Sequence, residues 1–144
     1  MAQIDWTYLF TRFDGRIPRH QFWIGFVILL AADILLLSLA QQMEGDRLGA
    51  IVDLAFTYPE FALFLKRAHD RNIPTWLVVI FFAMEVLMNF LVVLGWNWSG
   101  SWEDLSTPVL VILFPWVILA LALLIELGFR RGTVGPNPHG PDPL

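Results

Sequence analysis

Four apolar stretches, Phe22 to Ala40, Leu48 to Leu65, Trp76 to Trp96 and Pro108 to Phe129, alternate with polar segments, and eight of the nine Lys and Arg residues fall on one side of that alternation. Each stretch is close to the ~20 residues with which a helix crosses ~30 Å of hydrocarbon. The pattern reads as an all-α membrane protein, a four-transmembrane-helix bundle. Its content of 57% hydrophobic and 15% charged residues is too apolar for a soluble domain of this length. Spans at about 22–40, 48–65, 76–96 and 108–129 leave no loop long enough to fold separately, so residues 1–144 are read as one integral membrane domain. A separate soluble catalytic domain is thereby excluded.

Orientation follows from the bases. Arg12, Arg16 and Arg19 precede the first span, Lys66, Arg67 and Arg71 lie between the second and third, and Arg130 and Arg131 follow the fourth. The positive-inside rule makes all of these, and both termini, cytoplasmic. The opposite loops hold Glu44, Asp46, a single Arg47 and the Trp-rich acidic stretch from Asn97 to Asp104. The second span, with Asp53, Pro59 and Glu60, is the least apolar, and an interfacial placement would force Lys66 to Arg71 onto the side of Glu44 and Asp46. It is therefore expected to cross. The first apolar run ends Ser38-Leu39-Ala40, a small-x-small pattern, yet it exceeds the ~7 to 15 residues of a signal core and reads as a retained anchor.

Within residues 1–21, Trp6, Leu9, Phe10 and Phe13 recur at i, i+3, i+4 and i+7, with Asp5 placed as an N-cap and Gly15 as a stop. This predicts a short amphipathic helix that lies on the membrane surface, packs on the end of the bundle, or does both. Residues 130–144 interleave Gly132, Gly135 and Gly140 with Pro136, Pro138, Pro141 and Pro143. Such a tail is extended and turned; it folds back under the bundle, docks on a partner, or frays.

Explicit chemistry is sparse. With no cysteine, thiolate catalysis, disulfides and Cys-ligated metal centres are ruled out. His20, His69 and His139 neighbour Asp14, Asp70 and Asp142 without any ligand spacing, so no metal site is expected. Nor does the chain carry a GxSxG turn, a P-loop, a dinucleotide fingerprint or a basic groove for nucleic acid. Neither an enzyme nor a cofactor is expected.

Three polar segments stand out on the predicted cytoplasmic face: Gly15-Arg16-Ile17-Pro18-Arg19-His20-Gln21-Phe22-Trp23, Lys66-Arg67-Ala68-His69-Asp70-Arg71, and Gly132-Thr133-Val134-Gly135-Pro136-Asn137 with Gly140-Pro141-Asp142-Pro143. In their order they resemble the domain of unknown function 805 family, small YhaH-like bacterial inner-membrane proteins. That family shows a GRxxRxxFW entry, a Pro about eight residues before an RRxHDR-type loop, and a GTxGxNxYGxDP tail. Pro59 and Trp76 match the family's Pro and loop-closing Trp. Thr75 replaces a Gly, and Pro138 and His139 stand where the tail has a basic residue and a Tyr. The resemblance implies a fold and a location, and no established activity.

Arg16, Arg19, Lys66, Arg67 and Arg71 lie where each base gains roughly 1 kcal/mol near an anionic leaflet, and with His69 and Asp70 they make a candidate lipid- or partner-binding site. Plain topological charge explains the bases equally; Gly15, Pro18, His69 and Asp70 are not explained by it. Asp70 is expected to pair with Arg16, Arg67 or Arg71. Inside the spans lie Asp33, Asp53, Glu60, Glu85 and Glu126, without bases at comparable depth, and these acids should face the bundle interior in neutral form. Asp33, Asp53 and Glu85 fall near the midplane and could meet, with Asn89 one turn from Glu85; the carbonyls freed by Pro59 and Pro115 add acceptors. Two functions remain open. One is a non-enzymatic protein whose cytoplasmic face binds anionic lipid or docks a larger membrane complex as an accessory or regulatory subunit. The other is a small oligomeric proton- or cation-coupled transporter or channel using the buried acids, which otherwise serve as hydrogen-bond links between helices.

Overall fold

The structure is a computed structural model that describes residues 4–43, 46–95 and 107–143, with backbone only for 107–112. Glu44, Trp96 and the stretch from Asn97 to Asp104 lie outside the described residues. The described chain holds five helices: α1 (Trp6–Thr11), α2 (Arg19–Met43), α3 (Asp46–Arg71), α4 (Thr75–Val93) and α5 (Thr107–Gly128). Three of them, α2, α3 and α4, are long and apolar enough to cross a membrane, and the segment Leu113–Gly128 of α5 is a shorter apolar helix. Among the described residues no strand forms; an isolated antiparallel bridge joins Asn137 to Gly140 in the tail.

The helix least apolar in sequence is the central one. α3 packs against α1, α2, α4 and α5, and every residue from Ala62 to Asp70 is buried. Neighbours on several sides shield its polar groups, which is how Asp53, Pro59 and Glu60 are accommodated in a helix of this length. Outward faces are apolar: Val27, Ile34 and Leu35 of α2, Leu87 and Phe90 of α4, and Phe114, Leu121 and Ile125 of α5 are exposed, as a lipid-facing surface requires. At Gly25 an added Cβ would come within 2.8 Å of Leu63, so glycine lets α2 approach α3 closely.

Two boundaries differ from the sequence expectation. Lys66 to Arg71, read as an interhelical loop, are the last two turns of α3. The helix continues because its closing carbonyls are capped: Asn72 takes a left-handed φ of 55°, its N–H bonds His69 O at 3.1 Å, and Ile73 N–H bonds Ala68 O at 3.0 Å. These two bonds define a Schellman motif, and Pro74 then redirects the chain into α4. The second difference is α1, which ends at Thr11 rather than at Gly15. Asp5 caps it as expected, accepting from Tyr8 N–H at 2.9 Å. Leu9 is buried against the bundle while Trp6 stays 46% exposed, so the helix is packed on the protein and still presents an aromatic edge outward.

Between the two ends sits a layer of rings. Phe22 meets Phe64 edge-on at 5.3 Å, Phe64 meets Phe82 at 5.5 Å, and Phe81 stacks on Trp116 at 5.2 Å. This layer separates two polar regions of opposite character.

Candidate functional site

The end carrying both described termini is built by helix ends that cap one another. An α-helix leaves its last four carbonyls without partners, and a membrane-embedded end has little water to supply them. At the end of α5, Arg67 Nε donates to Leu127 O at 2.7 Å and Arg67 Nη2 to Arg130 O at 2.6 Å; Trp23 Nε1 donates to Gly128 O at 2.9 Å and Arg19 Nη1 to Phe129 O at 3.3 Å. Arg71 Nη1 reaches Arg131 O. Lys66 does the same for α1, donating from Nζ to Leu9 O at 2.9 Å and to Arg12 O, with Tyr8's ring centroid 5.3 Å away. Tyr58 O–H donates to Thr11 O at 2.9 Å.

The tail closes α3 in turn. Asp70 O accepts from Thr133 N–H at 2.8 Å and from the Thr133 hydroxyl at 2.9 Å, while Asn137 Nδ2 donates to His69 O at 2.9 Å. So the tail does fold back under the bundle. Gly132 sits where any Cβ would strike the Asp70 carboxylate, and this close approach requires glycine.

At the centre is Asp70. Arg16 donates to its Oδ1 from Nη2 at 2.8 Å and from Nε at 3.1 Å, and Arg67 Nη1 donates to its Oδ2. Arg16 spends its remaining donors on the tail: Nη1 on Gly135 O at 2.8 Å and Gly140 O at 3.3 Å, Nη2 on Thr133 O at 2.7 Å. The guanidinium fork is saturated, with partners from two segments far from it in sequence, the end of α3 and the tail. Lys66, Arg67, Asp70 and Arg16 are all buried. Arg71 pairs with Glu126 at 2.5 Å, and Arg130 with the same carboxylate at 3.1 Å. Glu126 is thus not one of the unneutralised intramembrane acids that its position in an apolar run suggests; the turn from α5 into the tail and the end of α3 bring two bases to it.

His69, at the rim, has its Nδ1 3.1 Å from Gly15 O, so the tautomer carrying the proton on Nδ1 donates there. Its ring stacks on His139 with centroids 3.9 Å apart. An imidazole therefore occupies the ring position at which the family pattern has a Tyr. Tyr8 donates to Arg16 O at 3.3 Å; burial, with Asp14 nearby, raises its phenol above the ordinary value and keeps that proton in place.

Of the seven basic-face residues singled out from sequence, six are thus committed to internal partners, and Arg19 stays exposed with one contact. Beside it is a cavity of about 550 Å³ between the start of α2, the end of α5 and the tail, lined by Arg19, His20, Trp23, Phe129 and Arg131, with Arg67 and Asp70 at its floor. Arg131 and Trp23 were not singled out in the sequence as binding residues; a second base following the fourth apolar run was the available signal.

Beyond the ring layer lies the second polar region, a cavity of about 430 Å³ that holds Asp33, Asp53, Glu60, Glu85 and Asn89 among aromatic walls. The carboxyls of Asp33 and Asp53 lie within hydrogen-bonding reach of each other. Thr57 O–H, which sequence reasoning missed, lies 3.0 Å from Asp53 O and 3.3 Å from Glu85 Oε1. Among the described residues, Asp33 Oδ1 and the Trp116 indole N–H are buried without a hydrogen-bond partner, as is Arg71 Nε at the tail-bearing end. A smaller cavity of about 250 Å³ shares Asp53 and Asn89 and continues to Gln41 and Asp46 at the far end. Among the described residues, no group of three or more His, Asp or Glu side chains has a metal-holding arrangement.

The family model of the proteins of unknown function DUF805 matches residues 10–141. Two relatives, both called uncharacterized protein YiiR, from Escherichia coli strain K12 and from Escherichia coli O157:H7, are each 31% identical over 134 residues, covering 90% of this chain and 84% of theirs. No solved structure matches. The chain belongs to the DUF805 family.

Proposed function

From that membership and this geometry, we propose that the protein is a non-enzymatic, four-span component of a bacterial inner membrane, with both termini cytoplasmic, whose tail-bearing face docks on anionic lipid as an accessory or regulatory subunit of a larger membrane complex. The observation that carries this reading is the convergence of the three polar segments on one face held by the Arg16–Asp70–Arg67 network. Such a face is preformed, so binding to it orders little. The inward bases hold its shape, and the exposed Arg19 and Arg131 give it a positive surface, while Arg12 and Arg130, exposed as well, are paired with Asp14 and Glu126. Each exposed base supplies about 1 kcal/mol of attraction to an anionic leaflet.

Purification in mild detergent followed by native mass spectrometry tests this. Retained phosphatidylglycerol or a co-purifying membrane subunit is the expected result; a lipid-free, partner-free protein indifferent to added anionic lipid would sink it. Reporter fusions after Leu144 and within residues 99–103 should report opposite compartments. An external C-terminus would disperse the proposed face.

A second reading rests on the cavity with Asp33, Asp53, Glu60 and Glu85. Four carboxyls, two buried polar atoms that have no partner among the described residues, and a second cavity that shares Asp53 and Asn89 and reaches Asp46 suit a proton or cation path. Proteoliposomes carrying a pH-sensitive dye should then show flux that Glu85→Gln abolishes with the fold intact.

A further inference from the structure

We infer that the cavity between α2, α5 and the tail is a built site for one phosphate ester, with Arg19 and Arg131 as the groups that grip it; this rests on the anionic-lipid reading above and gives it an address. Of the bases at this end, Arg16, Lys66 and Arg67 are buried with their donors spent on protein oxygens. A ligand cannot recruit them without breaking helix caps. Arg19 and Arg131 are exposed and line the same cavity, with His20 beside them. An arginine fork matches the geometry of a phosphate better than a lysine's point charge does. Of the acids in the lining, the Asp70 charge is met by Arg16 and Arg67, while Asp142, which accepts from Gly135 N–H at 2.7 Å, keeps its charge against the two arginine forks and leaves them one positive charge in excess.

The remaining wall says what else the ligand carries. Trp23 and Phe129 meet edge-on at 5.3 Å, and Phe129 is 63% exposed on the outer surface of the bundle. Trp23 is fixed by its bond to Gly128 O, where a Cβ would come within 2.6 Å of its ring. Aromatic side chains at such a level mark the membrane–water interface. The site thus places cationic forks on the polar side and rings on the apolar side, the order of groups along a phospholipid from phosphate to glycerol to acyl chain. At about 550 Å³ it has the size of a small-molecule pocket rather than of a bare ion site. Basic pockets between spans on the cytoplasmic side are a recognised means of holding headgroups.

Full-length protein, delipidated in detergent, is titrated with phosphatidylglycerol and with phosphatidylcholine under native mass spectrometry. Inorganic phosphate and glycerol 3-phosphate serve as competitors. The wild type should prefer phosphatidylglycerol at least tenfold, and Arg19→Gln with Arg131→Gln should remove that preference, whereas Arg47→Gln, at the opposite end of the bundle, should change it less than twofold. Competition only at large excess identifies a lipid ligand; competition at equal concentration identifies a soluble phosphate ester in the same pocket. A wild type that prefers anionic lipid and a double variant that still does would overturn the pocket and leave the anionic-face reading standing. A wild type with no preference and no phosphate-ester binding would overturn both. Should the double variant lose its helical signal or melt early, Arg131→Gln with His20→Ala repeats the test.

Discussion

The two polar regions of this small bundle are opposites. At the tail-bearing end, a buried carboxylate and three buried bases find partners in one another and in helix-end carbonyls, and among the described residues only Arg71 Nε at its edge is buried without one. In the mid-bundle cavity, four acids and an amide share one space, and among the described residues no base lines it and Asp33 Oδ1 and Trp116 N–H have no partner. A fully satisfied network rigidifies and specifies one structure, while an incompletely satisfied one is a cost that the fold carries for another reason. Removing a member should therefore cost much at the first region and little at the second.

The largest effect is expected from Asp70→Ala. It leaves Arg16 and Arg67 buried without a counter-charge, a class of change that costs about 3–5 kcal/mol. Denaturant titration of the helical signal in detergent should show that loss, and a variant as stable as wild type would erase the contrast between the regions. Next comes the coupling of Arg16 to Asp70. Single and double replacements should deviate from additivity by about 0.5–3 kcal/mol, as contacting residues do, and exchanging the two charges should recover part of the loss. Additive effects would mean that the entry segment and the α3 end are independent.

Gly132→Ala should be smaller but still plain. Its Cβ meets the Asp70 carboxylate, and overpacking of a tight site costs about 1–3 kcal/mol. Gly135→Ala is the comparison on the same tail: nothing lies within 4 Å of its Cβ, and only its left-handed φ of 79° is strained. Equal melting shifts for the two would argue that backbone conformation, and not the fit against Asp70, decides the tail's hold. The smallest effect belongs to Glu85→Gln, which keeps shape and the contact with Thr57. Interhelical hydrogen bonds in membranes average about 0.6 kcal/mol, and the shift should not exceed that. A loss as large as that of Asp70→Ala would place the cavity among the structural networks and remove its claim to function.

Much of this architecture was legible in the residues. Apolar runs of span length, Asp5 as a cap, and the choice of three bases for Asp70 follow from local chemistry, because hydrophobic periodicity and capping act over a few residues. The roles of the basic residues were not legible. Lys66 and Arg67 look like topological charge on a loop, and are instead buried caps on helices more than fifty residues away. Glu126 reads as a lone intramembrane acid until α3 delivers Arg71 to it. Sequence states which groups must find partners, since unpaired carbonyls and charges are costly near hydrocarbon. Only tertiary structure decides which partner each takes, because that depends on which helix ends the packing of α3 brings within about 3 Å of each other. Arg19 and Arg131 emerge as the exposed bases of a pocket only by that subtraction.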